Sequence, residues 1–206
     1  MLYVKGDNLF GVNLGISYER QMIRHRGICE FKLTTSHNRI YQSPEYVEGQ
    51  KLLSKERMVI LWSHQETFVY KLPSFKGEDL EILYIYSKIS RRENVSIDYA
   101  ISVPLKVMAV AFHSGVIKLF HFDYSKKYML ELKGHAGPCL AIRVAHKTPS
   151  ILYSVGVDCS LRVWQLVYFQ ALYVLRIDTV VADAAFVGEG LLFGATKEGH
   201  GKSWLL

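Results

Sequence analysis

The sequence predicts an all-β chain assembled from small antiparallel sheets that repeat along its length. Three observations predict it. Short runs rich in Val, Ile, Leu, Tyr and Phe recur roughly every ten residues, set off by Gly, Asp, Ser and His, which is the pattern of strands and turns. No long stretch keeps a 3.6-residue apolar stripe between helix caps, so helices should be few. An aromatic slot also recurs: Trp164 in LRVWQL and Trp204 in the final GKSWLL lie 40 residues apart, Phe120 in VIKLFHF lies 44 before Trp164, and Tyr70 in TFVYKL lies 50 before Phe120. Val12 in LFGVNL occupies the slot of a faint fifth copy.

The repeat length assigns the architecture. A period of about 40–45 residues, each carrying several strands, is the mark of propeller blades. One such sheet cannot bury both of its faces, so neighbours must stack on it. In chain order, residues 1–24 supply parts of a blade. The next blade takes inner, second and third strands near 27–34, 57–62 and 67–72, with an outer strand at 80–87. A third is predicted at 95–101, 107–112, 116–122 and 128–132, and a fourth at 139–145, 151–155, 161–166 and 170–176. The last spans 180–186, 191–195 and 200–206 and lacks an outer strand. The polar stretch 35–55 is long for a blade turn and reads as a surface insertion or irregular linker. The whole of 1–206 is read as one propeller domain or a propeller fragment of four to five blades. That is fewer than a closed ring of the usual size, so the expectation is part of a larger or incomplete propeller.

Composition excludes several classes. Half of the 206 residues are hydrophobic, with 13 Tyr and 10 Phe, which is incompatible with a disordered chain. Five Pro and 15 Gly exclude collagenous and low-complexity classes. The formal charge of +6 favours acidic partners through long-range attraction, but Lys and Arg are interspersed with Asp and Glu and form no polybasic arm. Cys29, Cys139 and Cys159 are odd in number and lack metal-type spacing, so buried thiols in a reducing, cytoplasmic compartment are expected. The longest apolar runs fall well short of the ~20 residues of a membrane-crossing helix.

Residues 128–166, YMLELKGHAGPCLAIRVAHKTPSILYSVGVDCSLRVWQL, resemble a WD40 repeat. The Gly134-His135 dipeptide, the Asp158 turn and the Trp164-Gln165 ending stand at that family's spacing, with Gln165 in place of the usual Asp. The resemblance implies a β-propeller and, within this blade, a hydrogen-bonded chain at His135, Ser154, Asp158 and Trp164. In that chain Asp158 orients the imidazole, the imidazole donates to the Ser154 hydroxyl, and the hydroxyl accepts from the indole N–H. The other copies are degenerate: Glu198 and Ser114 stand in the slot of Asp158, and neither has a Gly-His pair at the matching place.

The remaining chemistry is sparse. His135, Ser154 and Asp158 share the composition of a hydrolytic triad, but Ser154 sits between Tyr153 and Val155, without the Gly-x-Ser-x-Gly elbow. Gly199-His200-Gly201-Lys202-Ser203 ends like a phosphate-binding loop, yet Thr196 stands where its first Gly belongs, so a turn into a strand is the better reading. Ser90-Arg91-Arg92-Glu93 lacks the Phe and Gly of the Phe-Arg-Arg-Gly motif of lipid-binding propellers. Paired carboxylates at Glu78-Asp79 read as a solvated turn. No catalytic residue, metal site or cofactor is expected.

The reading is therefore a non-catalytic protein–protein scaffold or adaptor within a larger intracellular assembly, its partners other proteins with acidic surfaces. A cytoskeletal or ciliary setting is compatible with the charge. No nucleic acid, small-molecule ligand or membrane span is expected. The competing readings are a propeller-based hydrolase, with Asp98, Asp178 and Asp183 as channel carboxylates, and a propeller that binds anionic membranes.

Overall fold

The computed structural model describes residues 2–5, 8–17, 22–32, 49–53, 56–63, 66–72, 81–87, 89, 94–123, 125–187 and 190–205. They form two compact units, Met1–Ser87 and Lys88–Leu206. Every regular element among the described residues is a strand, arranged in five antiparallel sheets, and the fold is an all-β, WD40-like β-propeller fold.

In the first unit, β1 (Leu2–Lys5), β2 (Asn8–Ser17) and β3 (Met22–Lys32) make a three-stranded sheet in the order β1-β2-β3. A four-stranded sheet follows, made of β4 (Gly49–Leu53), β5 (Met58–Trp62), β6 (Glu66–Lys71) and β7 (Glu81–Ser87). The run MVILW is buried almost throughout, as expected of a strand covered on both faces. Two sequence expectations are corrected here. The segment 27–34 does not supply the inner strand of this sheet: through Lys32 it belongs to β3 and pairs with β2. The inner strand is β4, which lies inside the supposed insertion and pairs with β5. Its polar composition concealed it, because GQKLL offers only two apolar residues. A side chain at Gly49 would collide with the Trp62 indole, so the strand begins with the one residue that fits. The rest of 35–55, together with Glu78-Asp79 and Arg91-Arg92, lies outside the described residues.

The second unit has three consecutive sheets. The first contains β8 (Ser96–Ser102), β9 (Val107–Phe112), β10 (Ile117–His121) and β11 (Tyr128–Leu132). The second contains β12 (Cys139–Val144), β13 (Ile151–Gly156), β14 (Ser160–Gln165) and β15 (Gln170–Arg176). The third contains β16 (Val181–Val187), β17 (Leu191–Thr196) and β18 (Gly201–Leu205) and has no fourth strand among the described residues. Each is a meander whose first strand is innermost, and β12 lies against β8 on one side and β16 on the other.

Sheets stacked this way bury both faces of their middle strands, which is why β9 (VMAVAF) is apolar and buried at every position. Ala109, Ala111, Ile117, Leu119, Ile142, Leu152 and Trp164 form the core between the first two sheets of this unit. Ala141, Val155, Leu161, Val181 and Leu192 form the core between the second and third, with Trp204 packed against it.

The strand register fixes the repeat frame. In four of the five copies, not in that of Val12, the slot residue opposes the second residue of the preceding strand: Trp164 opposes Leu152, Trp204 opposes Leu192, Phe120 opposes Met108, and Tyr70 opposes Val59. Val12 lies on β2 opposite Ile28.

Candidate functional site

The second sheet of the larger unit gathers the densest polar chemistry among the described residues. Trp164 projects from β14 into the core against the preceding sheet. Ser154 is on β13, Asp158 is in the turn between β13 and β14, and His135 is on the segment leading into β12. The structure brings these four side chains into one connected chain. The Trp164 Nε1–H donates to Ser154 Oγ at 2.8 Å, Ser154 Oγ meets His135 Nε2 at 2.8 Å, and His135 Nδ1 meets Asp158 Oδ1 at 2.9 Å. Ser154 is fully buried, and His135 and Trp164 nearly so.

The direction of the protons differs from the sequence expectation. Burial pushes the His135 imidazole below its ordinary pKa, and this outweighs the opposing pull of Asp158, so the ring is neutral at physiological pH. A neutral ring has one N–H. The carboxylate of Asp158 can only accept, so Nδ1 carries the hydrogen and Nε2 is an acceptor. Ser154 therefore donates to the imidazole, and does not accept from it, while receiving the indole N–H on a lone pair. Every polar atom in the chain then has a partner, which is what a buried network requires.

Asp158 is saturated from several directions. Its Oδ1 also accepts from the Ser160 hydroxyl at 2.8 Å and the Ser160 amide at 3.2 Å, and its Oδ2 accepts from the Ala136 amide at 3.0 Å. Burial alone would raise this carboxyl's pKa, but the Ala136 amide, His135 and Ser160 together hold it below the usual range. Arg162 stands 3.9 Å from Oδ2 and donates through Nε to Ser160 Oγ at 3.3 Å.

Sequence reasoning missed Ser160, Gly156 and the role of Arg162. Ser160 had a signal, since a hydroxyl two residues after a turn Asp is placed to close an Asx-type turn. Gly156 had none outside the fold: a Cβ there would lie 2.6 Å from His135 Nδ1 and 2.8 Å from Asp158 Oδ1. The Gly of Gly134-His135 is explained in the same way, since a Cβ would lie 2.6 Å from Arg162 Nη1 and 3.1 Å from Trp164 Cη2.

Neither flanking sheet repeats this network. The position of Ser154, opposite Arg162, is taken by Val110 opposite Lys118 and by Gly194 opposite Lys202 in the flanking sheets. Neither valine nor glycine offers the slot aromatic of its sheet, Phe120 or Trp204, a side-chain hydroxyl there.

Chemically the arrangement holds its own atoms and offers none. Ser154 Oγ has its hydrogen on His135, accepts from Trp164, and is closed off from solvent, so it cannot attack a substrate. The three acidic residues weighed as channel carboxylates have separate tasks. Asp98 accepts the Ile142 amide at 2.8 Å and the Tyr99 amide at 2.8 Å, fastening β8 to β12. Asp178 binds Lys202 at 2.8 Å, which lowers its pKa, and Asp183 accepts the Ala184 amide at 2.8 Å. Among the described residues no group of three or more His, Cys, Asp or Glu side chains is placed to hold a metal ion. Gly199 (φ 82°) is in the tight turn before β18, so Gly199–Ser203 runs from a turn straight into a strand. No helix of the described residues is long and apolar enough to cross a membrane.

No protein-family model matches the chain, and no curated protein matches it by sequence. Solved structures do share its fold. The structure of U3-55K superposes with a TM-score of 0.58 at 16% identity, over 78% of this chain and 49% of that one. The crystal structure of the RRP9 WD40 repeats gives 0.56 at 15% identity, over 77% and 51%. A chain of ctPRC2 in complex with H3K27me3 and H3K27M gives 0.57 at 15% identity, over 72% and 34%. The chain thus spans about half the length of the first two structures.

Proposed function

We propose that this chain is a non-catalytic protein–protein interaction scaffold of WD40-like type, working within a larger intracellular assembly. The observation that carries the proposal is the enclosure of the Ser-His-Asp set. The set is committed to Trp164 and sealed in the core, where it stiffens a blade and cannot turn over a substrate. What such a stack presents outward is a set of short, hydrogen-bonded turns. Preformed turns lose little entropy on binding, the property expected of a platform. The positive charge favours acidic protein partners. The fold does not choose among cellular settings, and the cytoplasm, including cytoskeletal or ciliary structures with acidic surfaces, is the setting we favour.

Affinity capture of the tagged chain from cells, followed by native mass spectrometry, tests this. Recovery of an assembly with fixed stoichiometry is expected. A chain that returns alone at every salt concentration, or a purified chain that turns over ester or glycoside substrates, would overturn it.

A further inference from the structure

The antiparallel meander sorts the turns of the larger unit onto two ends. Turns 103–106, 122–127, 145–150 and 166–169 lie at one end of their sheets. Turns 113–116, 157–159 and 197–200 and the connections 133–138 and 177–180 lie at the other. The two ends differ in three ways.

Charge is the first. Among the described residues the first end carries Lys106, Lys126, Lys127 and Lys147 against Asp123, whose carboxylate is turned onto the Ser125 amide and hydroxyl. The second carries Lys133 and Lys197 against Asp158, Asp178 and Glu198. All four lysines of the first end are exposed.

Backbone strain is the second. Turns at the second end place glycine in the left-handed region, Gly115 at φ 81° and Gly199 at φ 82°, with Cys159 the exception at φ 56°. The first end places Lys106 (φ 52°), Lys126 (φ 49°) and Phe169 (φ 55°) there, where a Cβ is disfavoured. In the other unit, the turn between β4 and β5 likewise has Arg57 at φ 53°. A basic or aromatic side chain is kept at positions where glycine would be more stable.

Apolar exposure is the third. Val103, Val167, Tyr168 and Phe169 at this end are exposed, Tyr168 at 72%, and the exposed run continues along β15 through Leu172 and Tyr173. β15 ends its sheet, with β14 on one side and no strand on the other among the described residues. The end is also braced: Ser102 Oγ donates to the Pro149 carbonyl of the adjoining sheet at 2.8 Å, and the Leu166 amide donates to the Ser150 carbonyl at 2.7 Å.

We propose that this lysine-bearing end, continued along the outer edge of β15, docks an acidic protein segment that carries apolar side chains among its carboxylates. The proposal rests on the scaffold reading and supplies its docking face. Charge complementarity selects an acidic partner, and the edge of β15, which has no neighbouring strand among the described residues, favours a polypeptide over nucleic acid, because only a polypeptide can add to it as a further strand. Leu172 and Tyr173 are set back from the turn tips along β15, within reach of a chain that follows the strand but not of a flat bilayer. An open strand edge flanked by apolar side chains is a standard platform for strand addition.

The test uses the full chain and a fluorescein-labelled peptide of four Glu-Glu-Leu repeats, read by anisotropy. The chain should bind the peptide, more weakly as salt rises. Lys106→Gly, Lys126→Gly and Phe169→Gly together should reduce affinity roughly 30-fold or more, as loss of a hot-spot aromatic does, while the melting temperature holds or rises, since each glycine suits its φ. Lys133→Ala with Lys197→Ala, at the other end, should change affinity by less than about twofold. The proposal is overturned if the wild-type chain ignores the peptide, if the glycine variant binds it equally, or if phosphatidylserine vesicles or poly-uridine RNA are bound in preference. If the glycine variant still captures the stoichiometric assembly from cells, the scaffold stands and this face is wrong. If the wild-type chain captures none, the scaffold reading itself falls.

Discussion

Replacing Ser154 by alanine asks how much the buried chain of hydrogen bonds is worth. The substitution removes one oxygen and leaves two buried groups without a partner, the Trp164 indole N–H and His135 Nε2, each 2.8 Å from that oxygen. An orphaned buried polar group costs about 1–3 kcal/mol, so the expected destabilisation is about 2–6 kcal/mol. That is a large share of the ~5–15 kcal/mol that holds a typical domain together. Trp164→Phe provides the matching control, because it deletes the indole donor and keeps an aromatic ring in the slot, as Phe120 does in the preceding sheet. With phenylalanine at 164, losing the hydroxyl orphans only the imidazole, so the penalty should shrink by about 1–3 kcal/mol. Urea titrations of the four proteins, with hydrogen exchange of the Trp164 indole followed by NMR, give the cycle. A Ser154→Ala variant within about 0.5 kcal/mol of wild type, or a cycle additive to that margin, would refute the account of the site.

Three further outcomes follow from the same geometry. His135 has its folded pKa below its ordinary 6.5, so below that pH the unfolded chain takes up the proton more readily than the native one. The contribution of this site is therefore complete above 6.5 and drains as pH falls through the folded value; Asp158, held below 3.8, adds a second loss in stronger acid. The difference between wild type and His135→Gln in urea melts across this range should show the upper loss in the wild type alone. Gly156→Ala pushes a methyl group into the His135–Asp158 pair and should destabilise by about 1–3 kcal/mol, read by thermal melting. Cys159→Gly relieves a left-handed backbone in a turn whose counterparts use Gly115 and Gly199, and should leave stability unchanged or raise it by up to about 1 kcal/mol in the same assay.

Much of the second half of the molecule was legible because apolar alternation, a recurring aromatic and a Gly-His pair all point to the same frame. Expected strands such as 107–112, 128–132 and 170–176 coincide with β9, β11 and β15. Legibility failed where a strand carries little hydrophobic signal. GQKLL reads as loop, and its place on β5 is determined by pairing and by the Gly49–Trp62 contact, neither of which is a local property. At the site, the four side chains were visible from their spacing. Proton direction was not, because it depends on how deeply the imidazole is buried. Gly156 was invisible for a related reason: its importance lies in the space it leaves to residues 21 positions before and two after it.

The register places this protein's three tryptophans in three different sheets, on β5, β14 and β18. Trp62 and Trp164 are enclosed, Trp204 is partly open to solvent, and a hydroxyl is recorded against the indole of Trp164. The molecule thus comes with built-in fluorophores of differing surroundings in three of its five sheets. Single-tryptophan versions would emit at separable wavelengths and reveal whether these sheets come apart in one step or loosen first around the partly open Trp204.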